Sequence, residues 1–174
     1  AFRAFKILFN QLNNYLDEIQ KDKDYEISSL TYFGHFESID EIEKETMYGR
    51  KIELMTLKGL REIGKAVIDN QYEKTDKFFD YIEQANFEIF KQLEMYLLRF
   101  VKNNDQKVRI RNILLNKKYI CKPSFHNEYI LLLRDKADEF DGLVIAQILD
   151  TLKDEAEKDS IEYKEWIEEN REES

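Results

Sequence analysis

Phe2, Phe5, Phe9, Leu12, Leu16 and Ile19 follow one another in steps of three and four along the stretch "AFRAFKILFNQLNNYLDEI". That spacing lines one face of an α-helix. A strand would need alternation at every second residue. The same period returns at Ile52, Leu57, Leu60, Ile63 and Val67. The acidic run "DEIEKE" comes just before, where a helix dipole favours carboxylates, and Ser38 or Asp40 is the candidate N-cap. Gly59 and Gly64 fall inside this second stretch and weaken it unless another helix packs closely there. Between the two stretches lie a polar break, "KDKD", and the aromatic loop "YEISSLTYFGHFES".

Further helical segments are read at "EKTDKFFDYIEQA", "NFEIFKQLEMYLLRFVKNN" and "DQKVRIRNILLNKKY". The loop "ICKPS" holds the only proline, Pro123, and a helix is expected over 125–140. Tyr129, Leu132 and Leu133 share one face of that helix and read as core, with His126 as a residue of its first turn. "DGLVIAQILDTLKDEAEKD" is the next helix, and Ser160 is the expected N-cap of a last one, "SIEYKEWIEENREES". With 5 Gly and 1 Pro in 174 residues, the chain lacks the punctuation that all-β folds need. The expected fold is all-α: helical hairpins stacked as an α-solenoid segment of the HEAT or TPR kind, or alternatively a compact irregular bundle. Residues 1–174 read as a single all-helical segment, subdivided into 1–70 and a run of degenerate repeats over 72–174. The chain opens without Met, inside a helical pattern, so it is expected to be a piece of a larger protein.

Motifs for chemistry are missing. His126 and Glu128 begin an H-x-E, but the P-C-x-x-C of a zinc deaminase does not follow. Cys121 and His126 have no second ligand pair, and neither His35 nor His126 follows a carboxylate by three residues. There is no G-x-x-x-x-G-K-[ST] and no G-x-S-x-G. The reading is therefore of a non-enzyme, with no catalytic, cofactor or metal site. The lone Cys121 fits a reducing, cytoplasmic setting, and no apolar run is long enough to span a membrane. The net charge of -9 argues against nucleic acid as a partner.

Charge is unevenly spread. Arg99, Lys102, Lys107, Arg109, Arg111, Lys117, Lys118 and Lys122 face Asp105 alone between residues 99 and 122, whereas 153–174 is strongly acidic. One reading is a pair of solvated faces, with the basic run docking on the acidic tail. The sharper reading is a surface for a protein partner built on Arg109, Arg111, Lys117 and Lys118. Tyr32, Phe33 and Trp166 are the aromatic candidates for the same role, or else fold onto their own core.

The order and spacing of "ANFEIFKQLEMYLLRFVKNN", "RNILLNKKYI", "HNEYILLLRDKADEF" and "QILDTLKDEAE" resemble a helical-repeat region of large bacterial STAND NTPases, including the Avs-type antiviral sensors. The matching positions are Phe87, Phe90, Leu93, Leu97 and Leu98; Leu114, Leu115, Asn116 and Tyr119; His126, Glu128, Tyr129, Leu132, Leu133 and Phe140; and Ile148 and Leu149. The resemblance covers roughly residues 72–167. "DEFDGLVIAQILD" departs from the more polar capping stretch of that pattern. The resemblance implies a segment of a solenoid arm that binds a protein, such as a phage protein, or neighbouring segments of the parent chain. It also implies that this binding is coupled to oligomerisation, with ATP and Mg confined to the NTPase domain of the parent. The alternative is a structural scaffold or interaction module unrelated to defence.

Overall fold

The structure is a computed structural model that describes residues 1–21, 39–40, 51–70, 74–102 and 106–171, with the side chains of 51, 52, 159 and 162 onward excluded. Among these residues the protein is all-α, without a strand. Its helices are α1 (Phe2–Lys21), α2 (Lys51–Asn70), α3 (Thr75–Glu83), α4 (Glu88–Leu98), α5 (Lys107–Leu114), α6 (Lys117–Cys121), α7 (His126–Lys136) and α8 (Gly142–Arg171). Short 3-10 turns at Pro123–Phe125 and Ala137–Glu139 flank α7.

The apolar stripe of α1 is buried at Phe5, Phe9, Leu12 and Leu16, as its period requires. Helix α2 lies antiparallel to α1: Leu8 meets Gly59 near its middle, and Tyr15 donates to Glu53 at its start (2.7 Å). The glycines of α2 have the reason anticipated from sequence. A Cβ on Gly64 would sit 2.7 Å from a methyl of the fully buried Leu97 of α4. Gly59 is looser, at 3.2 Å from Leu8.

Contacts along the chain set the helix directions. Phe5 packs edge-on to Phe78 (4.7 Å) and Phe9 against Tyr81 (5.2 Å), so α1 and α3 run the same way. Gln106 reaches Asp76 while Arg109 reaches Asp80 and Glu83, which aligns α5 with α3. Lys107 lies over the Phe140 ring and Lys117 near Glu155 (3.6 Å), which aligns α8 with α5 and α6. A second row is built likewise. Gly64 faces Leu97 and Asp69 faces Lys102 (3.9 Å), so α2 and α4 are parallel. Glu88 pairs with Lys122 and Arg99 with Asp135 (2.7 Å), so α4 and α7 are parallel. Every residue of α4 except Lys91 is buried, which makes it the centre of the core. Helix α7 buries Tyr129 and Leu132 against it, with Leu133 half-buried.

Several boundaries differ from the sequence expectation. The "DQKVRIRNILLNKKY" stretch is two helices, because Asn116 adopts an extended conformation and its side chain accepts from the Lys118 amide. Ile120 and Cys121 belong to α6 rather than to a loop. The helix expected over 125–140 starts as the 3-10 turn around Pro123 and ends at Lys136. No break occurs at Ser160; α8 is continuous. Its N-terminus is capped by Asp141, which accepts from the Leu143 and Val144 amides. Beyond that cap, Ala, Glu and Lys propagate the helix, and Glu155 pairs with Lys158 one turn on (2.7 Å). Ile39–Asp40 is a described 3-10 turn, whereas the helix start expected just after it lies outside the described residues.

Candidate functional site

A cleft of about 380 Å³ opens between α3, α4, α5 and α6. Arg109 is its centre. Its guanidinium donates to Asp80 (2.5 Å), Glu83 (2.6 Å) and Glu94 (3.1 Å), and its Nε donates to Gln106 (3.0 Å). Burial lowers the Arg109 pKa, but the bond to Glu83 and the charges of Glu94 and Glu83 outweigh it and hold the group above its ordinary value. Glu94 is fully buried and is also held by Lys91. A carboxylate in that position needs such partners, since an unpaired buried charge is costly. Tyr119, Asn112 and Asn116 complete the wall.

The basic run read from sequence is thus largely matched within the fold. Arg99 joins Asp40 (2.8 Å) and Asp135 (2.7 Å), Lys122 joins Glu88, and Lys117 faces Asp154 (4.0 Å) and Glu155 (3.6 Å) on α8. Arg111 and Lys118 are exposed, and among the described residues neither forms a salt bridge. Of the four basic residues expected to share a partner surface, Arg109 is engaged internally, Lys117 leans on α8, and Arg111 and Lys118 face solvent. Tyr32 and Phe33 lie outside the described residues, as does the Trp166 side chain within α8. Cys121 is exposed and its thiol donates to Glu155 (2.9 Å), while His126 donates to the Ile120 carbonyl (2.5 Å) and so serves the start of α7. Among the described residues no group of three or more His, Cys, Asp or Glu is placed to hold a metal ion, and no helix is long and apolar enough to cross a membrane.

A second polar cluster joins the Ile39–Asp40 turn to three helices. The Ile39 amide donates to Glu128 Oε1 of α7 (2.6 Å), and Arg61 of α2 donates to the Ile39 carbonyl (3.3 Å). Arg99 of α4 bridges Asp40 and Asp135. Burial pushes the Glu128 carboxyl up to about 7, against the opposing pull of the Ile39 amide and the Arg99 charge. Its Oε2 is buried without a hydrogen-bond partner.

Sequence reasoning missed Glu94 and Glu128 as organising groups. The signal was available: each is a carboxylate inside an apolar helical run, "EIFKQLEMYLL" and "HNEYILLL", where a buried charge demands a partner. The fold and the clusters define an all-α protein of two helix rows cross-linked by ion pairs. Comparison with protein-family models, with curated proteins and with solved structures finds no match to this chain.

Proposed function

We propose that this chain is a non-catalytic helical-repeat segment of a bacterial, cytoplasmic STAND-type defence NTPase, working by protein contact within its sensor arm or in coupling that arm to oligomerisation. The observation that carries the reading is the parallel order of the two rows, α1–α3–α5 and α2–α4–α7. Successive hairpins of a solenoid place like helices side by side in this way, each burying its face on its neighbours. The Arg109 cluster supports the non-catalytic part, because its charged groups are committed to one another across α3, α4 and α5.

Protein contact falls on two features in this reading. Arg111 and Lys118 supply exposed positive charge beside the cleft. Ile130 of α7 (58% exposed) and Leu149 of α8 (50% exposed) are exposed apolar side chains on the last two helices, on which a further helix of the parent chain would stack. The test is association of the 174-residue chain with individually purified proteins of a phage that the parent restricts, followed at low and high salt. One of them should bind, and the Arg111→Glu, Lys118→Glu double variant should associate more slowly, with the difference shrinking as salt rises. Binding to none of them would sink the sensor reading and favour a scaffold. Binding that ignores both the substitutions and the salt would remove Arg111 and Lys118 from the surface.

A further inference from the structure

We infer that Glu128 is the proton-controlled bolt of a cross-brace that ties α2, α4 and α7 together through the Ile39–Asp40 turn. The geometry is specific. Each of the three parallel helices sends a side chain to the two-residue turn: Arg61 to the Ile39 carbonyl, Arg99 to the Asp40 carboxylate and Glu128 to the Ile39 amide. The Ile39 side chain is itself fully buried. The turn therefore spans the whole row, and its hold depends on groups from every member.

Glu128 is the member whose protonation state matters most. It is 1% exposed, and only one of its oxygens has a hydrogen-bond partner. When neutral, it leaves a single polar group unsatisfied. When ionised, it leaves much of a buried negative charge uncompensated, which is the costlier condition. The charged groups around it relieve this only in part. Arg99 on α4 is the facing cation, but it is shared between Asp40 of the turn and Asp135 of α7. Arg61 on α2 serves the Ile39 carbonyl and Glu62. Asp40 adds a like charge that disfavours the Glu128 anion. The Tyr96 hydroxyl of α4 is also buried there, and burial together with Asp40 keeps it protonated. The ionised carboxylate is better solvated once the turn lifts away, so loss of the proton favours the open brace. Closed, the group titrates near 7, and exposed it would titrate at its ordinary 4.5. By linkage, the opening constant rises on the order of a hundredfold across that interval.

The experiment is amide exchange by NMR on the 174-residue chain, corrected for intrinsic rates, with Leu93 in the core of α4 as the marker of global opening. Ile39 should be less protected than Leu93 at every pH, and its own protection should fall at least about tenfold from about pH 5 to about pH 8. The Glu128→Gln variant keeps an acceptor for the Ile39 amide but cannot ionise, and its Ile39 protection should be flat over the same range. A wild-type Ile39 whose protection stays flat over that range or equals that of Leu93 throughout, or a Gln variant that falls as the wild type does, overturns the proposal. Should the variant not fold, the wild type decides alone: the carboxyl carbon of Glu128 must titrate in step with Ile39 protection. A midpoint in the ordinary carboxylate range overturns it as well.

Discussion

The α1–α2–α3 end and the α4–α7 end are built on different chemistry. At the first, rings do the packing: Phe2 and Phe5 on Phe78, Phe9 on Phe90 (4.2 Å), and Phe78 on Phe79 (5.2 Å). At the second, the same helical stripes carry buried polar groups between them. Glu88 holds Lys122 and Ser124, Gln92 donates to the Ser124 carbonyl, Glu128 accepts from Ile39, and the buried Lys136 donates to the Val101 carbonyl. Apolar packing is indifferent to pH and salt and tolerant of direction. Paired buried charges add little net stability but penalise every wrong register, because a misplaced partner strands a charge. The contrast predicts that the aromatic end depends less on salt than the ionic end, whose pairs favour one alignment of the rows.

The largest test of that contrast is Phe5→Ala. Phe5 is fully buried among aromatic rings, so its truncation should cost about 3–5 kcal/mol in urea unfolding, and by the same amount at low and high salt. A loss that varies with salt would mean the aromatic end is not purely apolar in its energetics.

Arg109→Leu probes the ionic side. It leaves the buried Glu94 with Lys91 alone, so about 2–3 kcal/mol should be lost, below the ~3–5 of a fully stranded charge because Lys91 remains. Here Glu94→Gln in the same chain, which removes the buried charge, should recover most of the loss. No recovery would place the value of Arg109 in its packing over Phe79 rather than in its charge.

The smallest effect contrasts two glycines on one helix. Gly64→Ala drives a methyl into Leu97 and should destabilise by about 1–2 kcal/mol. Gly59→Ala meets only the movable tip of Leu8, and the gain in helix propensity, roughly 0.5–1 kcal/mol, should cancel or exceed the crowding. Equal melting shifts for the two would mean that α2 does not approach α4 as closely as Leu97 requires.

The same contrast explains what was legible in the sequence. Stripe residues such as Phe5, Phe9, Tyr129 and Leu132 were readable because burial of a helix face writes a period of 3.6 into the chain, and the need for a close neighbour at Gly64 was readable from its position inside such a period. Local boundaries were less so. The split at Asn116 and the continuity through Ser160 each turn on whether one polar side chain caps a helix or merely rides on it. Least legible was the fate of the basic run from Arg99 to Lys122. Its neutralisers, Asp40, Asp80, Glu83, Glu88, Glu94, Asp135 and Glu155, come from other elements, and pairing across elements leaves no periodic trace.

The bond from Ile39 to Glu128 joins residues 89 positions apart. Closing a flexible loop of that length from an unfolded chain costs about 4 kcal/mol in chain entropy, far more than one hydrogen bond returns. Neighbouring hairpins bring their contacts together over short spans, and once α2, α4 and α7 lie side by side the two ends are already close. The turn is then captured at almost no entropic cost. In folding time it is a late addition, formed after the rows and unable to nucleate them. Its strength therefore reports how well the α2–α4–α7 row has assembled.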